Sequence, residues 1–186
     1  AVNVRNAGFG LLAEKGEEAL EEVKGILHDE NPYHQARAIW LLANMGPAGQ
    51  AHVESLLLSN NPQLRITAFR ALRQVKPEIL SYAQQLADDE SPAIRREVAV
   101  ALRDLPFEDI KDIVVELASH YEGGDRYYLE ALGMAMEGKE EEFFRAPALV
   151  ILGMLRQKQN KYHEGIALLT AALDNSKQID DRYTEA

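Results

Sequence analysis

Three stretches of this chain match at a spacing of 30 residues: Asn31-Pro32 to Leu42, Asn61-Pro62 to Leu72, and Ser91-Pro92 to Leu102. A fixed period in this range is the mark of stacked helical repeats, in which each unit is too small to bury its apolar face alone. The columns of the repeat bear this out. Ten residues after each proline stand Leu42, Leu72 and Leu102, extended by Leu12 before and Leu132 after. One position earlier are Leu41, Ala71 and Ala101, with Leu11 and Ala131 at the ends. Four positions before the leucine column lie Ala38, Ala68 and Val98, joined by Gly8 and Tyr128. Offsets of i, i+3 and i+4 make one apolar helix face. Asn31, Asn61 and Ser91 suit the N-cap position, and the proline after each suits the first helical turn.

A second helix is expected in every unit. Pro47, Pro77 and Pro106 follow the first helix at nearly constant spacing, where proline ends one helix and opens the next. The second helices are expected over roughly 17–27, 48–58, 78–87 and 108–119. Their apolar columns are Val23, Val53, Ala83 and Ile113, then Leu27, Leu57, Ala87 and Leu117. No alternation of period two is present, so no sheet is expected. The fold class is all-α, an α-solenoid of about five antiparallel helix pairs. Trp40 is expected to pack between repeats, with an exposed anchor for a partner as the alternative.

Composition narrows the function. A length of 186 residues suits one domain or a short repeat array. No apolar run approaches the ~20 residues of a membrane span, so no membrane insertion is expected. The first residues lack a basic region followed by an apolar core, so no signal peptide is expected in them. Cysteine is absent, which excludes disulfides, thiolate metal sites and covalent c-type haem attachment within these residues. A net charge of -10 argues against nucleic acid as a partner. Arg65, Arg70, Arg73, Arg95, Arg96 and Arg103 cluster, but Asp88, Asp89, Glu90, Glu97 and Asp104 are interleaved with them, which reads as salt-bridged helix faces.

The pattern Asp-x-x-Pro-x-x-Arg-x-x-Ala-x-x-Ala-Leu, carried best by residues 62–72 and 92–102, resembles HEAT repeats. The first full repeat has Gln35 in place of Arg65 and Arg95, and the fourth has Asp125 and no proline. The Asp–Arg ladder that the resemblance implies is therefore not expected at the ends. Segments Ala38 to Leu42, Arg95 to Asp104 and Gly124 to Gly133 resemble the HEAT segment of extracytoplasmic dehydrogenase and cytochrome c proteins of planctomycete-type bacteria. That resemblance implies a spacer or docking module in an exported redox protein, with periplasmic or secreted localisation. It implies no chemistry here, because the propeller and a Cys-x-x-Cys-His are missing. A cytoplasmic location is equally compatible with the residues.

After Pro147 the period breaks. Leu152-Gly153, Tyr162, Gly165, Leu169 and Ala172 resemble one tetratricopeptide helix pair, although Arg156 stands where an aromatic is usual. The expected division is a HEAT-like array over 1–145 and a tetratricopeptide-like cap over 146–186. The tail past Gln178 reads as the opening of a further helix in a longer protein.

No catalytic constellation is found. Some HEAT proteins bind iron through paired His-Glu dipeptides, because an open iron site wants both imidazole and carboxylate. Only His163-Glu164 has that form. His28, Asp29 and His34 share one turn and can approach each other, but loop histidines are common. No Gly-x-Ser-x-Gly elbow is present. Asp125-Arg126-Tyr127-Tyr128 reads as an N-cap, a salt bridge and two core tyrosines. Catalytic residues, metal and cofactor are each expected to be none. By analogy with the fold class, the second helices line the binding face, giving Glu54, Gln84, Gln85, Glu108, Asp112 and Glu116 as candidates for contact with a protein partner. The alternative is an accessory module of a larger redox enzyme, or a HEAT-type lyase that cradles a tetrapyrrole.

Overall fold

The computed structural model describes residues 2–76 and 78–139, and among them every regular element is helical. In chain order these are α1 (Val2–Lys15), α2 (Leu20–Gly25), α3 (Pro32–Ala43), α4 (Gly46–Ser55), α5 (Pro62–Val75), α6 (Leu80–Leu86), α7 (Pro92–Ala101), α8 (Phe107–Ser119) and α9 (Arg126–Met136). Single 3₁₀ turns flank α2 and extend α4 to Leu58. The second helices thus begin within three residues of the expected positions. Pro47 sits in the first turn of α4 and Pro106 caps α8, while Pro77 lies outside the described residues.

The caps follow from the repeat. Asn31 and Asn61 hold an extended backbone, and each side-chain Oδ1 accepts from the N–H two residues on, at 2.9 Å from Tyr33 N and 2.9 Å from Gln63 N. This satisfies a donor that the first helical turn leaves unpaired. Asp125 caps α9 in the same way, accepting from Tyr128 N at 3.1 Å.

The described residues fall into two compact units that divide between Ala101 and Leu102. In the first, α3 packs against α2, α4 and α5, and α5 packs against α4 and α7. Ala38, Leu42, Ala68, Leu72 and Val98 from the first-helix columns are buried, as are Val23, Val53, Leu57, Ala83 and Ala87 from the second-helix columns. In the second unit α8 packs against α9. Phe107, Ile110, Ile113, Val114 and Leu117 are buried there, as are Tyr128, Ala131 and Ala135. The Tyr128 hydroxyl donates to Leu117 O at 2.7 Å, so the one polar atom of this buried ring is paired. The turn before α9 runs through Gly123 and Gly124 at φ 89° and 83°, a backbone that only glycine adopts without strain.

A ladder of buried turn contacts ties the repeats of the first unit. Arg65 is buried and donates through Nε and Nη2 to both carboxylate oxygens of Asp89, at 2.9 and 2.8 Å, and through Nη1 to Ser59 O at 2.6 Å. Arg95, also buried, donates to Asp89 O. Gln35 takes the corresponding place in the preceding repeat, its Nε2 donating to Asp29 O at 2.7 Å. All three side chains therefore reach the carbonyl six residues before them. The glutamine keeps the carbonyl contact and gives up the ion pair, in step with Ser59 standing where the next repeat has Asp89.

Two expectations are corrected. Leu11 and Leu12 continue the buried columns in sequence but are 63% and 38% exposed, and α1 buries none of its residues. A column position is buried only where another helix packs over it, and no described helix covers Leu11 and Leu12. Tyr127 is 71% exposed and is not a core residue. The buried face of α9 is set by Tyr128, Ala131 and Ala135, spaced at three and four residues, and the adjacent position is rotated away from it. The expected tetratricopeptide-like pair and the boundary at 145 lie outside the described residues.

Candidate functional site

A groove of about 370 Å³ lies on the first helices of the repeats, lined by Trp40 of α3, Arg70, Arg73 and Gln74 of α5, and Glu97 of α7. All five belong to the first unit. Trp40 is half-buried and sits between Ile39 and Leu41, which are fully in the core. Arg70 pairs with Glu97 Oε2, and Arg73 Nη1 is 3.9 Å from Glu97 Oε1. The Glu97 side chain is 14% exposed, against 55% and 40% for the two arginines. The salt-bridged helix faces expected of the arginine cluster are thus present at Arg65, Arg70 and Arg73. Arg103, in the second unit, pairs with Glu137 at 2.7 Å. The groove itself was not anticipated. Its signal is the repeat column Trp40, Arg70 and Val100, where one position carries an aromatic, a charged and an aliphatic side chain in turn.

The six expected contact residues fall on the second helices, Glu54 on α4, Gln84 and Gln85 on α6, and Glu108, Asp112 and Glu116 on α8. Gln84, Gln85, Glu108 and Asp112 are exposed. Glu54 is half-buried and engaged within the protein. Its Oε1 accepts from Tyr82 Oη at 2.6 Å and from Lys76 Nζ, which also lies 6.0 Å from the centre of the Tyr82 ring. The bond from Lys76, then that from Tyr82, holds the Glu54 carboxyl below the usual range. Burial raises the Tyr82 hydroxyl, and the Glu54 carboxylate raises Lys76. On α8 the spacing of four places Glu108, Asp112 and Glu116 along one side of the helix. Glu108 pairs with Lys111 at 2.8 Å, and Glu116 Oε1 lies 3.3 Å from His120 Nε2.

Two members of the His28-Asp29-His34 turn do meet. His34 Nδ1 lies 3.0 Å from Asp29 Oδ2, and Asp29 Oδ1 accepts from Asn31 N at 2.7 Å. The backbone bond first, and then His34, depresses the Asp29 carboxyl. The contact fastens the turn that opens α3. Of the other histidines, His52 on α4 is shifted down, chiefly by burial and next by the charge of Lys24. In the second unit Arg126 pairs with Glu130 at 2.7 Å, as its place in the α9 start implied.

No helix among the described residues is long and apolar enough to cross a membrane. No curated protein and no solved structure matches the chain, so the narrower likeness to extracytoplasmic redox proteins gains no support from these comparisons. A family model for HEAT repeats matches residues 51–133. That span runs from α4 to α9 and takes in the repeats with the buried arginines, and the described residues are accordingly helix pairs of the α-solenoid class that are similar to HEAT repeats over 51–133.

Proposed function

We propose that the chain is a non-enzymatic scaffold that binds another protein through the polar sides of its second helices. HEAT repeats commonly mediate protein interactions, which supports the class of the reading. The observation that carries it is the way the second helices are fixed. Val53, Leu57, Ala83 and Ala87 are buried in the first unit, and Ile113 and Leu117 in the second. A helix pinned on that side shows its remaining positions in one constant orientation. Gln84 and Gln85 are presented in this way on α6, and Glu108 and Asp112 on α8. A row of carboxylates on α8 favours a basic partner segment and speeds its encounter.

The test is affinity capture with the whole chain and with the E108K/D112K/E116K variant, each checked for helicity by circular dichroism. Proteins held by the wild type are expected to bind the variant about tenfold more weakly or not at all. Equal retention by both would remove α8 from the reading. A purified chain that shows visible absorbance would instead favour the accessory module of a redox enzyme or a tetrapyrrole-binding lyase.

A further inference from the structure

We propose that the groove lined by Trp40, Arg70, Arg73, Gln74 and Glu97 binds a short acidic peptide segment in which a carboxylate stands next to an apolar side chain. The site lies on the first helices, apart from the second-helix residues of the proposed scaffold surface, so the two readings fail independently.

The charge in the groove runs against that of the chain. Two guanidiniums face one carboxylate there, a surplus of positive charge in a protein of net charge -10. Each guanidinium has five N–H donors, more than Glu97 alone can occupy. Arg70 and Arg73 keep much of their side chains at the surface, whereas Glu97 is mostly covered. Glu97 therefore occupies only part of the two guanidiniums and leaves donors for a second carboxylate, with which it competes. An arginine can take a carboxylate through two parallel bonds.

Trp40 supplies the apolar half. The α3 column is already filled by Ala38, Ile39, Leu41 and Leu42, so packing does not require an indole at position 40. Its half-buried ring offers an apolar surface at the edge of the groove, suited to an aromatic or aliphatic side chain. The Gln74 amide has both donors and an acceptor for a peptide backbone. A volume of about 370 Å³ is at the small end of ligand pockets, which span roughly 300–1,000 Å³. That suits a few side chains of an extended segment. A polyanion such as nucleic acid would bring many charges towards an acidic protein, whereas a peptide with one or two carboxylates meets little of that repulsion.

Trp40 is the single tryptophan of the chain, so its emission reports on the groove directly. The experiment titrates the full chain with a blocked peptide of aspartates alternating with leucine and phenylalanine, and with its counterpart in which asparagine replaces aspartate. A saturable change of Trp40 emission is expected with the first peptide and a much weaker one with the second. R70Q/R73Q is expected to abolish the response. E97Q removes the competing carboxylate and is expected to tighten binding about two- to fivefold. This gain does not depend on whether the double variant folds well. The proposal is overturned by an unchanged emission up to about 1 mM peptide, by equal binding of the two peptides, or by an E97Q affinity equal to or below that of the wild type. It is also overturned if inorganic phosphate or a short DNA duplex binds more tightly than the acidic peptide.

Discussion

Arg65 shows what a single position contributes to the array. Its guanidinium is buried, and so is the Asp89 side chain that it meets with two bonds while a third reaches Ser59 O. Removing one partner of such a pair leaves an uncompensated charge inside the protein, which costs about 3–5 kcal/mol. Gln35 holds the matching carbonyl with one neutral bond, worth about 0.5–1.5 kcal/mol. Urea unfolding should therefore rank R65A well above Q35A in lost stability. Equal losses would mean that the arginine acts only as a turn fastener. The arginine was readable from the repeat, and its equivalence to Gln35 was not. The pattern compares residue types, whereas the structure compares which carbonyl each side chain reaches.

Among the elements, α4 lies unusually close to α3. A Cβ built on Gly49 would stand 2.1 Å from Leu42 O and 3.0 Å from Leu42 C, both backbone atoms that cannot turn aside. G49A should lower the stability of the first unit by about 1–3 kcal/mol, the cost of forcing an overpacked contact apart. Gly8 of α1 meets nothing within 4 Å at the same construction. G8A should instead be neutral or stabilising by up to about 1 kcal/mol, because alanine is the better helix former. Thermal melting of the two variants checks both signs. A G49A protein as stable as the wild type would show that α4 can shift outward without penalty. Nothing in the 30-residue columns marked Gly49, since closeness between two helices is a property of their packing and not of either sequence alone.

On the scale of the whole molecule, stability is uneven along the described residues. α1 buries no side chain, whereas α5 buries six residues and is flanked by α3, α4 and α7. Opening of α1 breaks few apolar contacts, so its amides should exchange with solvent at least about a hundredfold faster than those of α5. Hydrogen exchange read by mass spectrometry decides this, and equal protection would show that something covers α1 in solution. By itself the sequence determined the repeat length, the helix pairs, their asparagine caps and nearly all of the buried columns. These depend on local hydrogen bonding and on a periodicity that each unit repeats. Only the tertiary structure decided that Leu11 and Leu12 stay exposed, that Glu54 is engaged by Lys76 and Tyr82, and that Trp40 and Glu97 line one groove with Arg70. Each of these depends on a neighbour far away in the chain, and a column of residue types does not say which neighbours meet.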